Sequence, residues 1–539
     1  MKRNFLITLC FACIALIGNT QSDIDVLHYK YEIELNDKND TIFGKAVIKF
    51  IPLKELKAVE FDLVDNNQGD RKGMQISKVV MPYMTSFGNS ELGNPYIHFS
   101  DVLSINGWNK LRKGDTIDVT IYYKGIPSDG LIISKNKYGH RTFFADNWPN
   151  RAHDWIPCVD DPADKATVEF IVTAPSHYQV ISNGIKVEET NLPDNKKLTH
   201  WKEDVPLPTK VMVIGVADFA VNSAGDVSCI PISSWVFPEN KKEGFYDYAQ
   251  AKDILAFYSN YIGPYPYKKL ASVQSKTIFG GMENASAIFY FENSVTGERH
   301  EEALMAHETV HQWFGNMATE KSFAHLWLSE GFATYLSHIF IESKYGTDSL
   351  NKEMKEDRET VIGFVKSSHR SVVDSTKDYM SLLNANSYQK GGWILHMLRR
   401  ESGDSVFKKA VRLYYSTYAG KNADTDDLRK IFEMVSGKSL KIFFQQWLYT
   451  GENPKLKITW KNIPKEKKVA VTIEQMQNRL FEFPLDLSLI TGLRKNADKN
   501  IKVSKKTETF YFPVNGPLMQ LDVDYKTSLL AEISVSQIK

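Results

Sequence analysis

Cysteine is scarce: four residues in 539 are too few to staple a chain of this size with disulfides. Cys10 and Cys13 fall in an apolar run near the amino terminus, which leaves Cys158 and Cys229 for the folded body. One bridge between them is open, and two free thiols are the simpler expectation. An excess of charge of one sign is also missing. Lys plus Arg number 66 and Asp plus Glu 65, so no net field draws in a polyanion. Short basic runs such as Lys465-Glu466-Lys467-Lys468 read as solvated turns, and no basic stripe is interleaved with aromatics. A nucleic-acid partner is therefore not expected. Nor is an integral membrane span expected in the mature chain: the run from Phe5 to Gly18 has fourteen residues, against the roughly 20 a helical span needs. No internal repeat or low-complexity block breaks the pattern.

What is present begins with Lys2 and Arg3, that short apolar run, and then Asn19-Thr20-Gln21-Ser22. This is the layout of an export signal over residues 1–20, with cleavage before Gln21 and a periplasmic or extracellular destination. The rest is too long for one core. From 21 to 225 apolar residues alternate, as in Tyr29-Lys30-Tyr31-Glu32-Ile33-Glu34-Leu35, which predicts a β-rich domain. From 226 to 453 the period is helical; one predicted helix opens on a capping Thr425, has acids in its first turn and stops at Gly437. From 454 to 539 alternation returns, as in Val469-Ala470-Val471-Thr472-Ile473, and predicts a small β-sandwich. The fold class is thus multidomain α+β.

The most informative stretch is His307-Glu308-Thr309-Val310-His311, followed after eighteen residues by Glu330. On a helix, positions i and i+4 share a face, so both imidazoles can hold one ion. A third ligand from Glu330 leaves a position for water, and two imidazoles with a carboxylate favour zinc. Glu308, beside the first histidine, can take a proton from that water. Acids and good helix formers from Glu301 to Ala306 predict the helix itself. Upstream, Gly280-Gly281-Met282-Glu283-Asn284 combines glycines, which let backbone approach a ligand, with a carboxylate suited to a cationic substrate end such as a free α-amine.

Together these residues resemble the aminopeptidase N family, zinc aminopeptidases of the gluzincin group. The resemblance includes Gly280 to Asn284, His307 to Asn316, Trp327-Leu328-Ser329-Glu330-Gly331-Phe332 and Tyr388-Gln389-Lys390-Gly391. It extends to Trp155-Ile156-Pro157-Cys158 and Asp161 to Thr167, and its landmarks run from about residue 26 to Gln446-Trp447-Leu448. It implies a saddle-like N-terminal β domain and a thermolysin-like catalytic domain. It also implies one zinc ion on His307, His311 and Glu330, with Glu308 as general base. Glu283 would hold the free amino terminus of a peptide, and Tyr388 would donate to the oxyanion. The backbone of Gly280, Gly281, Met282 and Asn284 would line the substrate. With residues 454–539 reading as strands, the chain resembles a short form lacking the family's C-terminal helical domain, and a more open cleft is expected.

Three departures stand out. Trp148 occupies the position of an amine-binding Gln common in relatives, so Asp146, Asn147 or Glu283 alone would hold the amine. Ser329 and Ala324 stand where relatives often have Asn and Asp. His325 and His338 show no ligand spacing and read as packed or surface residues. Residues 380–383 are candidates for the side-chain pocket. An aminopeptidase is the leading expectation. A zinc endopeptidase or other zinc hydrolase, and a non-catalytic peptide-binding module on the same fold, are the alternatives.

Overall fold

The computed structural model describes residues 22–66, 72–81, 95–492 and 496–538; the expected signal segment 1–20 lies outside them. The alternating N-terminal pattern forms the strands expected. Tyr29, Tyr31 and Ile33 are buried on one face of strand Ile24–Glu34, as is Leu35 just past its end, while the residues between them are partly exposed. That strand sits inside a seven-stranded sheet, antiparallel to Ile42–Pro52 and parallel to Ala166–Pro175, with Tyr31 opposite Phe170. The Tyr31 hydroxyl donates to Pro157 O, and the Tyr29 hydroxyl accepts from Val159 N–H. These bonds fix the segment around Trp155 and Cys158 against the sheet. Cys158 is buried and Cys229 exposed; both are free thiols.

The shift to helical period expected after 225 falls inside strand Ala220–Val227. This strand pairs with Ile230–Val236 in a five-stranded mixed sheet that also holds Leu270–Ser275, Ala287–Phe291 and Gly281–Met282. Helices then dominate: α1 (Lys241–Tyr248), α2 (Ala251–Tyr261), α3 (Glu302–Val310), α4 (Trp327–Tyr345), α5 (Thr347–Ser368), α6 (Gly391–Ser402), α7 (Asp404–Tyr418), α8 (Thr425–Ser436) and α9 (Lys441–Leu448). In α8 the cap is Asp424, not Thr425: Asp424 and Asp427 form a reciprocal capping box. Thr425 Oγ1 is occupied elsewhere, accepting the Trp327 indole N–H at 2.9 Å. Gly437 ends α8 in the left-handed region, as expected. Residues 455–537 form a four-stranded and a three-stranded sheet.

The β-rich and helical parts are joined by buried charge. Lys210, fully buried, pairs with buried Glu320, and Lys165 Nζ donates to Met317 O and Lys421 O. Removing either partner of such a buried pair strands the other charge away from water.

Candidate active site

α3 and α4 pack antiparallel. Near one end His311 meets Glu330; near the other, the Tyr345 hydroxyl donates to Glu302 at 2.7 Å. α3 ends at Val310, but His311 keeps helical dihedrals, so both histidines still project from one face. His307 Nε2, His311 Nε2 and Glu330 Oε2 form a nearly equilateral triangle with sides of 3.2, 3.3 and 3.4 Å. His311 Nδ1 lies 3.1 Å from both Phe314 O and Ser329 Oγ, which directs Nε2 into the triangle. The turn that delivers Phe314 O needs Gly315: its φ is +115°, and a Cβ there would meet Ser329 Oγ at 2.3 Å.

The triangle lies on a cleft of about 550 Å³ that also contains Glu283, Glu308, Tyr388 and Trp148. Strand Gly281–Met282 runs alongside α3 in the same direction. A Cβ on Gly280 would lie 4.0 Å from Leu304, and one on Gly281 would meet Glu308 Cδ at 2.5 Å. Gly281 therefore makes room for the Glu308 carboxyl, a tighter reason for glycine than ligand approach alone. Further along, Glu283 O accepts from Gln312 Nε2 at 2.8 Å and Asn316 Nδ2 at 2.7 Å. Those two side chains clamp the strand, and the sequence had not marked them for that task. The Glu283 side chain keeps one buried oxygen without a partner, and both polar side-chain atoms of Asn284 are likewise unpaired. Met282 is buried beneath the strand.

Tyr388 reaches the cleft from a π-helical turn, Asn386–Lys390, in which Lys390 N–H bonds to Ala385 O. Its ring stacks on His307 with centroids 5.9 Å apart and planes 12° from parallel. The turn sits close to α4 because Gly391 and Gly331 touch backbone to backbone. A Cβ on Gly391 would lie 2.9 Å from Gly331 Cα.

The electrostatics are lopsided. Burial pushes up the carboxyls of Glu283 and Glu308 and the phenol of Tyr388. Burial also opposes charge on His311, but Glu330, Glu283 and Glu308 outweigh it and raise His311 to about 10. Glu330, despite its burial, is held well below the usual carboxylate range by His311 and His307. With Asp357 and His338 included, four acids face three imidazoles, and among the described residues no Lys or Arg lines the cleft wall.

Other expectations fare unevenly. Asp146 is committed to Arg151, Thr277 and Ile278 N–H, and Asn147 to Thr209 O, Met212 O and the Trp155 indole. Neither has a side-chain oxygen or nitrogen free for an amine. Trp148 packs edge-on against Phe279 and Phe323. Of residues 380–383, Leu383 lines the cleft, whereas Met380 is not on its wall and is exposed. His325 lies 2.9 Å from Thr425 Oγ1, outside the cleft wall, as a packed residue should. His338 is packed too, with Nε2 2.9 Å from Asp357, and in addition it lines the cleft. Its signal was present in the sequence, since Glu330, Thr334, Ser337 and His338 follow i, i+4, i+7, i+8 on α4.

A β-rich unit feeding a helical unit with two imidazoles and a carboxylate in one cleft defines the class to which this chain is compared. Residues 26–211 match the Peptidase M1 N-terminal domain and residues 246–447 the Peptidase family M1 domain. The chain belongs to the peptidase M1 family, that of aminopeptidase N. It is 29% identical over 344 residues to "Probable aminopeptidase 2" of Sulfurisphaera tokodaii, covering 59% of this chain and 43% of that protein. It is 31% identical over 336 residues to the glutamyl aminopeptidase of Bitis rhinoceros, covering 58% of this chain and 34% of that protein. Alignment to these relatives thus spans less than half their length. The crystal structure of Legionella pneumophila aminopeptidase A in complex with aspartic acid shares the fold. The TM-score is 0.81 at 18% identity, over 96% of this chain and 60% of that one.

Proposed function

We propose that this chain is an exported zinc aminopeptidase, removing amino-terminal residues from peptides. The observation that carries the reading is the convergence of the His307–His311–Glu330 triangle, Glu308, Glu283 and Tyr388 on one cleft. The triangle fits zinc in size: ligands about 2.0 Å from a tetrahedral centre are about 3.3 Å apart. It also fits in charge, because a divalent cation offsets the surplus of buried carboxylates. Zinc bound there would act as a Lewis acid, polarising an amide carbonyl and acidifying water. The chain's own groups do the rest. Glu308 takes the proton from water and passes it to the leaving amine. Tyr388, its phenol kept protonated by burial, donates to the oxygen on which negative charge develops. The unpaired oxygen of Glu283 accepts from the substrate ammonium, limiting attack to the first peptide bond.

We read residues 21–225, 226–453 and 454–539 as the β domain, the catalytic domain and a small β-sandwich, with 1–20 as the export signal. The metal site supports one prediction. Ser329→Ala should weaken zinc binding about tenfold, measured by competition with a chromogenic chelator. An unchanged affinity would mean that the Phe314 carbonyl alone orients His311.

The function itself is tested with aminoacyl anilides bearing a free or an acetylated amine. Only the free-amine substrates should be cleaved, with activity lost on chelation and restored by zinc. Glu283→Ala should remove most of the discrimination. Equal cleavage of both panels by the unaltered protein would indicate a broader zinc hydrolase. Zinc bound without any cleavage would favour a peptide-binding module.

A further inference from the structure

The cleft has a polar wall that the proposed chemistry does not use. His338, two turns beyond Glu330 on α4, places Nε2 2.9 Å from Asp357 Oδ2 on α5. Both side chains are largely but not fully buried, at 12% and 15% exposure, and both line the same cleft as the triangle. Asp357 is the one lining acid that belongs neither to the triangle nor to Glu308 and Glu283.

The direction of a bound peptide follows from the strand beside α3. Glu283 lies at the Gln312–Asn316 end, and Gly280 lies opposite Leu304 at the other end. The triangle sits between them. α4 runs antiparallel to α3, so its residues after Glu330 advance toward the Leu304 end. A peptide with its ammonium on Glu283 and its first carbonyl at the triangle must send its second residue toward Leu304, Ser337 and His338. His338 Nε2 faces Asp357 Oδ2, and Asp357 keeps a second carboxylate oxygen for which no other partner is seen among the described residues. Among the described residues, no Lys or Arg on the wall competes for Asp357.

We propose that the His338–Asp357 pair is the recognition site for the second residue of the substrate and selects a basic side chain, Lys or Arg, there. A cationic side chain donates to the Asp357 carboxylate, and an acidic one meets like charge. The inference rests on the aminopeptidase reading, and its test separates the two.

The test measures kcat/KM for peptides with alanine first and Lys, Arg, Leu or Glu second, beside an alanyl anilide that has no second residue. Lys and Arg peptides should exceed Leu about tenfold, with Glu below Leu. In Asp357→Asn the Lys-to-Leu ratio should fall toward one, and in Asp357→Lys the Glu peptide should overtake the Lys peptide. Binding of the same peptides to Glu308→Gln protein, followed by calorimetry, should give the same order without turnover. A Lys-to-Leu ratio near one in the unaltered protein, or a ratio that Asp357→Asn leaves in place, overturns the proposal while the aminopeptidase reading stands. Failure to cleave both the anilide and the peptides overturns the two together.

Discussion

Replacing Glu308 by Gln is expected to lower kcat by about a thousandfold, within the roughly 10²- to 10⁴-fold range of general acid–base catalysis. The amide keeps the shape of the carboxyl but accepts no proton at working pH. Shape matters here because the group lies over Gly281, where even a methyl would meet Glu308 Cδ at 2.5 Å. An isosteric change leaves that packing in place. Glu308 is outside the triangle, so zinc content should match the unaltered protein, and the melting temperature should move little. The measurements are single-substrate kinetics, metal analysis and a thermal melt on one preparation. Retention of a tenth or more of kcat, with zinc bound, would mean that another group moves the proton.

Tyr388→Phe is expected to cost about 10²- to 10³-fold in kcat with KM nearly unchanged, the loss typical of one oxyanion donor. Phenylalanine keeps the ring, which stacks on His307, and removes only the hydroxyl. Burial and the neighbouring acids raise the phenol above its ordinary range, so the donor stays protonated wherever the enzyme is folded and active. The split between the two constants is the informative readout. A rise in KM at constant kcat would assign Tyr388 to substrate binding and leave the oxyanion without this donor.

The metal-binding pattern is legible in the sequence because it is local. Two histidines four apart on a helical pattern can share an ion without knowledge of the rest of the fold. The same holds for the strand Ile24–Glu34, whose alternation survives intact in the buried face Tyr29, Tyr31, Ile33. Features set by distant contacts were not legible. The capping role expected of Thr425 passes to Asp424 because Trp327, 98 residues away, claims the threonine hydroxyl. Sequence alone leaves Asp146 and Asn147 open as amine ligands, and their partners at 277–278 and 209–212 close that option. His338 shows no ligand spacing in the sequence. Its partner Asp357 is on a separate helix, and a sequence does not say which faces of two helices meet.

The buried pair Lys210–Glu320 has a consequence for anyone seeking a smaller enzyme. The pattern of alternation and helical period invites excision of the helical region as a minimal catalyst. Cutting there removes Lys210 together with the surface that shields Glu320, and replacing Lys210 alone, which keeps that surface, is expected to cost about 3 to 5 kcal/mol because the buried pair loses one partner. That is a large part of the net stability of a typical domain. The seam between the two regions is a boundary of pattern, and thermodynamically the fold extends across it.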